Sequence, residues 1–507
     1  MQFNITEWLD RTAEKFPDKT AISDEYGQIT FKEYRDKSKA IAAKIIETGC
    51  GPQKPVVVYM KKSAKVLVSF LAAAYSRNFY SPIDIDMPPS RVERILEILQ
   101  PSVVITTADL KDRFSAICDT CSFIIYEDVD PETTDITEVN KTAASVIDTD
   151  LLYVLFTSGS TGVPKGVGIR HRSLIDYIDW VTKEFDITPE DNFASQAPFY
   201  FDNSILDIYS TLKTGAALYI TPKELFSKPV ELLNYLVQNN ISTIFWVPTE
   251  LIMVARIKAL RKVDLTGTLK RVLFCGEVMP NKELNFWRQY LPDITYSNLY
   301  GPTEITDACT FYTVDREFRD EEPLPIGKPM PNTEVLVLDD NDKLITPSET
   351  GVIGELCVKG TCLAVGYYKN PEKTRAAFVQ NPLNDMYEEK IYRTGDLVSY
   401  NEYGELMYNG RKDFQIKHLG HRIELGEIET AAASFDDITR NCCIYDAKHS
   451  RIVIFITAEK EILRDDFRKR MEKLVPAYMV PEKIITLDEM PLNQNGKIDR
   501  NKLKEMV

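Results

Sequence analysis

Apolar runs of strand length alternate with amphipathic stretches along the first 400 residues of the chain. Residues 55–60, 102–110 and 151–156 are short and largely apolar, and rich in β-branched side chains, as buried strands are. Residues 63–78 instead carry their apolar side chains at helical spacing. This alternation of strands and helices predicts α/β layers around a largely parallel sheet.

A further helix is predicted with Ser173 as its N-cap. The spacing of Ser173 and Asp176, three positions apart, is typical of a helix N-terminus. The apolar stripe of this helix is interpreted as a core-facing surface and not as a cofactor site. It consists of Leu174, Tyr177, Ile178 and Val181.

Size and charge narrow the class of protein. A chain of 507 residues exceeds what one hydrophobic core supports, so at least two domains are expected. The apolar fraction of 44% and the charged fraction of 27% are those of a soluble globular protein. The net charge of −15, without a Lys/Arg cluster, argues against nucleic acid or an anionic membrane as the main partner.

The N-terminal segment carries acidic residues where a signal peptide needs an apolar core. No apolar run approaches the length of about 18 residues that a membrane span requires. We therefore expect no membrane span and a cytoplasmic protein.

The nine cysteines and four histidines do not form a metal motif. Cys118 and Cys121 make one CxxC pair, but no second pair or nearby histidine completes a zinc site. An odd, scattered set of cysteines is typical of reduced thiols. A catalytic triad based on histidine is disfavoured by the same scarcity.

The segment 155–167 (LFTSGSTGVPKGV) has the composition of a phosphate loop. Hydroxyls come from Thr157, Ser158, Ser160 and Thr161, turns from Gly159 and Gly162, and a cation from Lys165. Backbone N–H groups, hydroxyls and an ammonium together bind phosphate. The spacing differs from that of a P-loop NTPase, because Pro164 stands where that motif has its second glycine. The alternative is a polar surface loop.

Two later segments carry side chains suited to a nucleotide. In 296–310 (YSNLYGPTEITDACT), Tyr300 can stack on a purine and the Asn298 amide can read its edge. Thr303 offers a hydroxyl near phosphate, and Glu304 a hard oxygen ligand for Mg²⁺. In 392–397 (YRTGDL), Asp396 can accept two ribose hydroxyls.

These motifs, with 410–429 (GRKDFQIKHLGHRIELGEIE) and the final NGKIDR segment, resemble the adenylate-forming ligase superfamily over about residues 5–502. Within it the chain is similar to D-alanyl carrier-protein ligases and to the adenylation domains of nonribosomal peptide synthetases. The resemblance implies an acyl-CoA synthetase-like fold: a large N-terminal domain of layered sheets and helices, 1–412, and a small mobile α+β C-terminal domain, 413–507.

The resemblance also assigns roles in ATP and Mg²⁺ binding. The catalytic residues would be Lys497, Glu304, Thr157 and Lys165, with Glu304 as the metal ligand and Lys497 contacting the acyl carboxylate and the α-phosphate. The residues implied to bind ATP are Thr157, Ser158, Gly159, Ser160, Thr161, Gly162, Lys165, Gly276, Asn298, Tyr300, Gly301, Thr303, Asp396, Arg411 and Lys497.

A second half-reaction is implied by the same resemblance. The C-terminal domain would turn about Asp413, and a hairpin around 418–422 would line a channel for a phosphopantetheine thiol. Because the chain ends ten residues after Lys497, the phosphopantetheinylated carrier protein is expected to act in trans.

The amino-acid pocket is inferred by matching motifs. Asp202 lies among aromatic residues and would bind the substrate's ammonium group, although a helix N-terminus could satisfy it instead. The pocket would be lined by Asn203, Leu206, Phe245, Leu273, Cys275, Leu299, Asp307 and Ala308.

The identity of the substrate stays open at this point. Phe245 and Leu299 favour a small substrate side chain. The segment FCGEVMP is close in sequence to the matching segment of D-alanine ligases. Asp307 is a departure from those enzymes, because a second carboxylate calls for a second donor on the substrate or for a nearby cation. D-alanine is the first expectation, and another small or polar amino acid is its rival. An acyl-CoA synthetase and a non-catalytic nucleotide-binding protein are the remaining alternatives.

Overall fold

The computed structural model of the protein describes residues 3–159, 163–458, 462–492 and 498–507. The chain divides into two compact units. The first comprises Met1–Asp84, Leu99–Leu155 and Val167–Lys412. The second comprises Ile85–Ile98, Phe156–Gly166 and Asp413–Val507. The functional domain boundaries at 412 and 413 stay a prediction.

The helices follow the predicted alternation with strands. In chain order the α-helices of the described residues are α1 (Thr6–Lys15), α2 (Phe31–Glu47), α3 (Ala64–Tyr75), α4 (Pro89–Leu99), α5 (Lys111–Ser115), α6 (Thr137–Ala144), α7 (His171–Glu184), α8 (Ser204–Thr214), α9 (Pro229–Gln238), α10 (Pro248–Arg256), α11 (Asn281–Tyr290), α12 (Pro371–Ala377), α13 (Leu425–Ala433), α14 (Arg464–Met471) and α15 (Arg500–Lys504).

The strands are mostly short. In chain order those of the described residues are β1 (Thr20–Asp24), β2 (Gly27–Thr30), β3 (Pro55–Tyr59), β4 (Phe79–Pro82), β5 (Val103–Thr106), β6 (Ser122–Ile125), β7 (Leu151–Thr157), β8 (Lys165–Arg170), β9 (Asn192–Ser195), β10 (Ala217–Ile220), β11 (Thr243–Trp246), β12 (Arg271–Phe274), β13 (Thr295–Tyr300), β14 (Thr310–Thr313), β15 (Lys328–Pro329), β16 (Thr333–Leu338), β17 (Leu344–Ile345), β18 (Gly354–Gly360), β19 (Gly366–Tyr367), β20 (Phe378–Gln380), β21 (Lys390–Tyr400), β22 (Leu406–Arg411), β23 (Gln415–His418), β24 (His421–Glu424), β25 (Ile438–Asp446), β26 (Arg451–Ala458) and β27 (Lys483–Thr486).

The first unit is built on two large, mostly parallel sheets. One has the order β15-β14-β13-β12-β11-β9-β10-β1-β2, and the other β19-β8-β7-β4-β3-β5-β6. In the first sheet β1, β10, β9, β11, β12 and β13 run parallel, and antiparallel strands close both edges. The predicted runs 55–60, 102–110 and 151–156 correspond to β3, β5 and β7, which belong to the second sheet. A third, antiparallel sheet, β17-β16-β18-β21-β20 with β22 beside β21, precedes residue 412.

The α/β layering predicted from the sequence is therefore present. Parallel strands covered on both faces have to be apolar throughout, and β3 and β5 are buried at every position. α3 is buried almost all round, which explains why its sequence is apolar on every face.

The predicted N-cap of α7 is wrong by three residues, because the N-cap is Arg170. The helix begins at His171, and Ser173 lies inside it with its hydroxyl near the Leu363 carbonyl at 3.4 Å. The first N–H groups are satisfied by the backbone instead of by a cap side chain, because His171 N donates to the Asp150 carbonyl at 3.1 Å. The predicted core stripe of this helix is fully buried.

His171 is a packing residue. Its side chain is buried, and its Nδ1 accepts the Ile5 N–H at 3.3 Å. Burial lowers the pKa of His171 to about 4, so the ring is neutral at pH 7 and can act as this acceptor.

The second unit contains a hairpin and a small mixed sheet. β23 and β24 pair antiparallel with His418 opposite His421, which gives the hairpin expected around 418–422. Its two turn residues, Leu419 and Gly420, have φ of 51° and 77°, the backbone that a tight two-residue hairpin requires. β25, β26 and β27 form the other sheet, with α13, α14 and α15 in the same segment.

Candidate functional site

The carboxyl ends of four parallel strands of the first unit bring the predicted pocket residues into one row. Phe245 on β11 is in register with Leu273 on β12, and Ser195 and Ser297 continue this row onto β9 and β13. These side chains share one face of the sheet, because the residues alternating with them pack in a separate core on the other face. Six of the predicted lining residues belong to the core on the Phe245 face of the sheet: Leu206, Phe245, Leu273, Cys275, Leu299 and Ala308.

Asp202 lies just before α8, at the end of the segment that leaves β9. Its Oδ1 accepts the Asn203 N–H at 3.1 Å, and its carbonyl accepts the Ile205 N–H at 2.8 Å. The alternative that a helix N-terminus supports this carboxylate is thus correct in part, since Asn203 is the N-cap of α8.

Asp307 is buried, and its partner on α7 is a neutral hydroxyl. Tyr177 Oη donates to Asp307 Oδ2 at 2.6 Å. Burial, and then the charge of Asp307, raise the pKa of Tyr177 well above its ordinary value, so this tyrosine stays protonated. Asp307 has a φ of 71°, a conformation that an aspartate tolerates better than most residues do.

Two tyrosines connect the predicted carboxylates. Burial, and after it the charges of Asp202, Tyr209 and Asp307, raise the pKa of Tyr153. The pKa of Tyr177 is raised by burial first and then by Asp307, Cys275 and Asp202. The pocket residues inferred from separate motifs are therefore close enough to act on the same two phenols.

Three of the predicted nucleotide residues form a hydrogen-bonded group in the first unit. Asp396 accepts the Tyr300 hydroxyl on Oδ2, and Arg411 Nη1 on Oδ1 at 2.7 Å. Asp396 and Tyr300 are both buried. The Asn298 amide, predicted to read a base edge, donates from Nδ2 to the Pro325 carbonyl at 2.8 Å. Its side chain is thereby held in one orientation.

Glu304 lies in a short 3₁₀-helix with Thr303, and both are buried. Tyr367 Oη donates to Glu304 Oε1 at 2.8 Å. A Cβ at the neighbouring Gly301 would overlap the Asp307 carbonyl, so the turn before Glu304 requires glycine. Among the described residues no group of three or more His, Cys, Asp or Glu side chains could hold a metal ion. A single fixed carboxylate suits Mg²⁺ that is completed by phosphates and water.

The phosphate-loop candidates belong to the second unit. Thr157 Oγ1 is buried and makes no hydrogen bond within the described ranges. A Cβ at Gly159 would overlap the Val163 carbonyl, so this position requires glycine. Lys165 Nζ lies 3.6 Å from Glu424 Oε1. A buried hydroxyl without a partner, close in sequence to a position that requires glycine, fits a phosphate ligand.

Three further predicted residues, from both units, have a defined local geometry. Ser158 Oγ donates to the Arg422 carbonyl at 2.8 Å and accepts the Glu424 N–H at 3.2 Å. Asp413 Oδ1 accepts the Gln415 N–H at 3.1 Å. Gly276 has a φ of 99°, which favours glycine. Four predicted residues lie outside the described residues: Ser160, Thr161, Gly162 and Lys497.

Family models match most of the chain. The model of the AMP-binding enzyme family matches residues 9–368, and that of the AMP-binding enzyme C-terminal domain matches residues 427–497. The chain belongs to the AMP-binding enzyme family.

Curated relatives of this AMP-binding enzyme fall into two groups. The chain is 32% identical to the D-alanine–D-alanyl carrier protein ligase of Bacillus cytotoxicus, over 99% of both chains. It is 33% identical to the L-proline–[L-prolyl-carrier protein] ligase of Streptomyces coelicolor, over 94% of this chain and 91% of that one. Other relatives are longer: the chain spans 13% of tyrocidine synthase 2 and 45% of tyrocidine synthase 1 of Brevibacillus parabrevis, each at 32% identity.

A solved structure with the same fold is the adenylation domain AlmE of Vibrio cholerae in complex with glycyl-adenosine-5'-phosphate. The TM-score is 0.86 at 21% identity, over all of this chain and 98% of that one. The predicted membership in the adenylate-forming superfamily and the α/β fold class are confirmed. Across the described ranges, no helix of the AMP-binding enzyme has both the length and the apolar character of a membrane span.

The sequence interpretation missed two tyrosines that interact with the predicted pocket residues. Tyr177 was assigned to the core from its helical spacing, and Tyr153 lies in an apolar strand run. Both are fully buried, so the periodicity was interpreted correctly as far as burial goes. The signal that could have found them is the phenol itself, because a buried hydroxyl needs a partner.

Proposed function

We propose that this enzyme uses ATP to activate a small amino acid as its aminoacyl-adenylate and passes the aminoacyl group to the phosphopantetheine thiol of a separate carrier protein. The observation that carries the proposal is the Asp202 carboxylate at the start of α8, the helix whose Leu206 belongs to the same apolar cluster as Phe245 and Leu273. A fixed carboxylate there favours a substrate with an ammonium group over a fatty or aryl acid. The two full-length carrier-protein ligases among its relatives support the same activity.

The first step joins two anions. The substrate carboxylate attacks the α-phosphorus of ATP, the bond from that phosphorus to the bridging oxygen breaks, and pyrophosphate leaves. Such a barrier is lowered by cations and N–H donors held in place, and no protein nucleophile is needed. Lys497 would contact the carboxylate and the α-phosphate, and Thr157 and Lys165 would hold the departing phosphates. Glu304 would hold Mg²⁺, which supplies positive charge to the phosphates when bound.

Asp396 and Arg411 are proposed to bind the ribose. The Asp396 carboxylate is oriented by Tyr300 and Arg411, so it meets a pair of hydroxyls without rearranging. Tyr300 and Asn298 are proposed to contact the base, and the fixed orientation of the Asn298 amide suits that role. The segment from Asp413 onward is proposed as the mobile C-terminal domain that serves the second step.

The side chain of the substrate is proposed to be small and polar. Asn203 Nδ2 and Tyr153 Oη are buried and make no hydrogen bond to any residue in the described part of the chain. A buried donor without a partner costs about 1–3 kcal/mol, so a substrate that supplies an acceptor is preferred over one that does not. In this proposal Asp307, which accepts the Tyr177 hydroxyl, would also accept a hydroxyl from the substrate. A hydroxyl both accepts and donates, which favours a hydroxyl-bearing amino acid over D-alanine.

A panel of D- and L-amino acids in amino-acid-dependent ATP–pyrophosphate exchange tests this proposal. We expect the highest exchange with a small hydroxyl-bearing amino acid, at least about tenfold above alanine of the same configuration, because only the hydroxyl satisfies the polar groups of the pocket. Exchange that is highest with D-alanine would reject the polar substrate and retain the activity. Exchange with no amino acid would reject the activity itself.

The variant Asn203→Ala is the matched control for the panel. It removes the unpartnered amide and leaves Asp202 in place, so the preference for the hydroxyl should shrink while alanine is used as before. Thioester formation with a phosphopantetheinylated carrier protein and with free coenzyme A then separates a carrier-protein ligase from an acyl-CoA synthetase.

A further inference from the structure

Cys118 and Cys121 lie in the connection between α5 and β6, in the first unit. The backbone is hydrogen-bonded at each end of this connection. Cys118 N donates to the Phe114 carbonyl at 3.0 Å, and Ser122 N donates to the Ser102 carbonyl at 2.9 Å. The CxxC pair therefore occupies a short segment whose two ends have a defined position.

The two thiols of this segment are in contact. Cys118 Sγ lies 3.3 Å from Cys121 Sγ, and Cys121 Sγ donates to the Pro101 carbonyl at 3.2 Å. A disulfide has an S–S distance of about 2.05 Å, so closing the bond requires the sulfurs to approach by about 1 Å. Asp119 and Thr120, between the cysteines, are exposed, so a shift of this size does not disturb packing at those two positions.

The two thiols differ in exposure. All nine cysteines lie within the described residues and are free. Cys50 and Cys118 are partly exposed, and the others, Cys121 among them, are buried. A reagent in solution therefore reaches Cys118 before Cys121, and Cys121 lies beside it to displace the reagent. An attacking thiol and a resolving thiol are arranged in this way.

The hydrogen bonds of Cys118 favour its thiolate. Thr120 Oγ1 lies 3.5 Å from Cys118 Sγ. Burial raises the pKa of the Cys118 thiol, but hydrogen bonds from Thr120 and Cys121 outweigh burial and leave the pKa below its ordinary value. Burial raises the pKa of Cys121 to about 12, and the contact with Cys118 adds to this rise. Because the thiolate is the nucleophile in disulfide exchange, Cys118 is the thiol that attacks.

We propose that Cys118 and Cys121 are a redox-sensitive dithiol that closes to an intramolecular disulfide on exposure to a low-molecular-weight disulfide such as oxidised glutathione. The Cys118 thiolate attacks one sulfur of the glutathione disulfide, its S–S bond breaks, and one glutathione thiolate leaves. Cys121 then loses its proton and attacks Cys118 Sγ, the mixed disulfide breaks, and the second glutathione thiolate leaves. The chain loses two hydrogens, and the glutathione disulfide is reduced to two thiols. The dithiol is independent of the proposed function, because neither cysteine belongs to the proposed active site.

Titration of the full chain with mixtures of oxidised and reduced glutathione tests the proposal. After alkylation of the remaining thiols, trypsin releases both cysteines on one peptide, 114–141, which contains no other cysteine. We expect this peptide to lose two hydrogens and to escape alkylation as the share of oxidised glutathione rises, and excess reduced glutathione should restore both thiols. A peptide that keeps two alkylated thiols throughout, or a disulfide that excess reduced glutathione leaves intact, would overturn the proposal.

Single variants assign the two roles. In Cys121→Ser the resolving thiol is missing, so a glutathione adduct on Cys118 should accumulate to at least about tenfold the wild-type level. In Cys118→Ser the buried Cys121 should stay unmodified. If Cys121→Ser fails to fold, Cys121→Ala replaces it, because alanine leaves no buried hydroxyl. An equal glutathione adduct in the wild type and in the variant would reject Cys121 as the resolving thiol, and with it the dithiol.

Cys50 provides the matched control. It is also partly exposed, and its sulfur contacts two backbone carbonyls and the Asn78 amide. Cys50→Ser should therefore leave disulfide formation in the peptide 114–141 unchanged. Loss of the disulfide in Cys50→Ser would show that Cys118 pairs with a different thiol and would reject the assignment.

The contribution of the fold is measured apart from that of the local CxxC sequence. The same titration in urea shows how readily the unfolded chain closes this ring. The fold holds the two sulfurs 3.3 Å apart. At one ratio of oxidised to reduced glutathione, the proportion of disulfide to dithiol should therefore be at least about tenfold higher in the native protein than in urea. An equal or lower proportion in the native protein would show that the structure does not favour the disulfide, and the proposal would be wrong.

Discussion

Replacing Asp202 with Asn should raise the KM for the amino acid about a hundredfold or more. The substrate's ammonium would keep its charge and lose the carboxylate that faces it, and breaking one half of a desolvated charge pair costs about 2–5 kcal/mol. The KM for ATP should stay within about twofold, because Asp202 lies at the start of α8, whereas the proposed ribose residue Asp396 lies on β21. Pyrophosphate exchange with each substrate varied in turn measures both constants.

A substrate analogue sharpens this test. The deaminated acid lacks the ammonium, so the wild type should use it poorly and Asp202→Asn should no longer distinguish it from the amino acid. Asp293→Asn, which changes an exposed aspartate, is the matched control. A wild-type KM in Asp202→Asn would remove Asp202 from the pocket, and equal discrimination in both enzymes would assign ammonium recognition to another group.

Replacing Lys497 with Ala should reduce adenylate formation by about two to three orders of magnitude. This expectation comes from the NGKIDR segment and its resemblance to the ligase family, since Lys497 lies outside the described residues. The lysine is proposed to neutralise charge where two anions meet, and nothing in the second half-reaction needs that charge. Transfer from added aminoacyl-adenylate to the carrier protein should therefore keep most of its rate.

Two assays separate these half-reactions. Pyrophosphate exchange reports the first, and discharge of synthetic aminoacyl-adenylate to the carrier thiol reports the second. Lys504→Ala, an exposed lysine of the last helix, controls for charge at the chain end. Equal losses in both assays would indicate a structural role for Lys497, and no loss in the first would remove it from the chemistry.

Local patterns predicted the layering of the first unit well. The apolar runs 55–60 and 151–156 became β3 and β7, because a β-branched run buried on both faces has few other solutions. The start of α7 was wrong, since backbone carbonyls of residues 148 and 150 satisfy its first N–H groups and make a side-chain cap unnecessary. Such a contact depends on the tertiary fold and leaves no mark in the local sequence.

The site was predictable by residue type and not by pairing. The sequence placed Asp396, Tyr300 and Arg411 among the nucleotide residues, but not the hydrogen bonds that join them across 96 and 15 residues. Tyr177 could be assigned to the core from its period, whereas its contact with Asp307, 130 residues away, could not. Lys62 looks ordinary in the sequence, and only the tertiary fold brings its ammonium to the Ser195 carbonyl at the end of β9.

For the cysteines and histidines too, the sequence predicted the general role and the structure showed the individual contacts. Their number disfavoured a metal cluster or a histidine triad, and His171 proved to be a neutral packing residue with its pKa lowered by burial. The chemistry proposed for this AMP-binding enzyme therefore depends on carboxylates, lysines and backbone donors.

A single turnover with ATP labelled at the α-phosphate tests the central claim most directly. With the preferred amino acid, the label should appear as enzyme-bound aminoacyl-adenylate with release of unlabelled pyrophosphate. Adding a phosphopantetheinylated carrier protein should then release labelled AMP and form one aminoacyl thioester for each adenylate consumed. Release of labelled ADP, or label turnover that does not depend on any amino acid, would contradict the account.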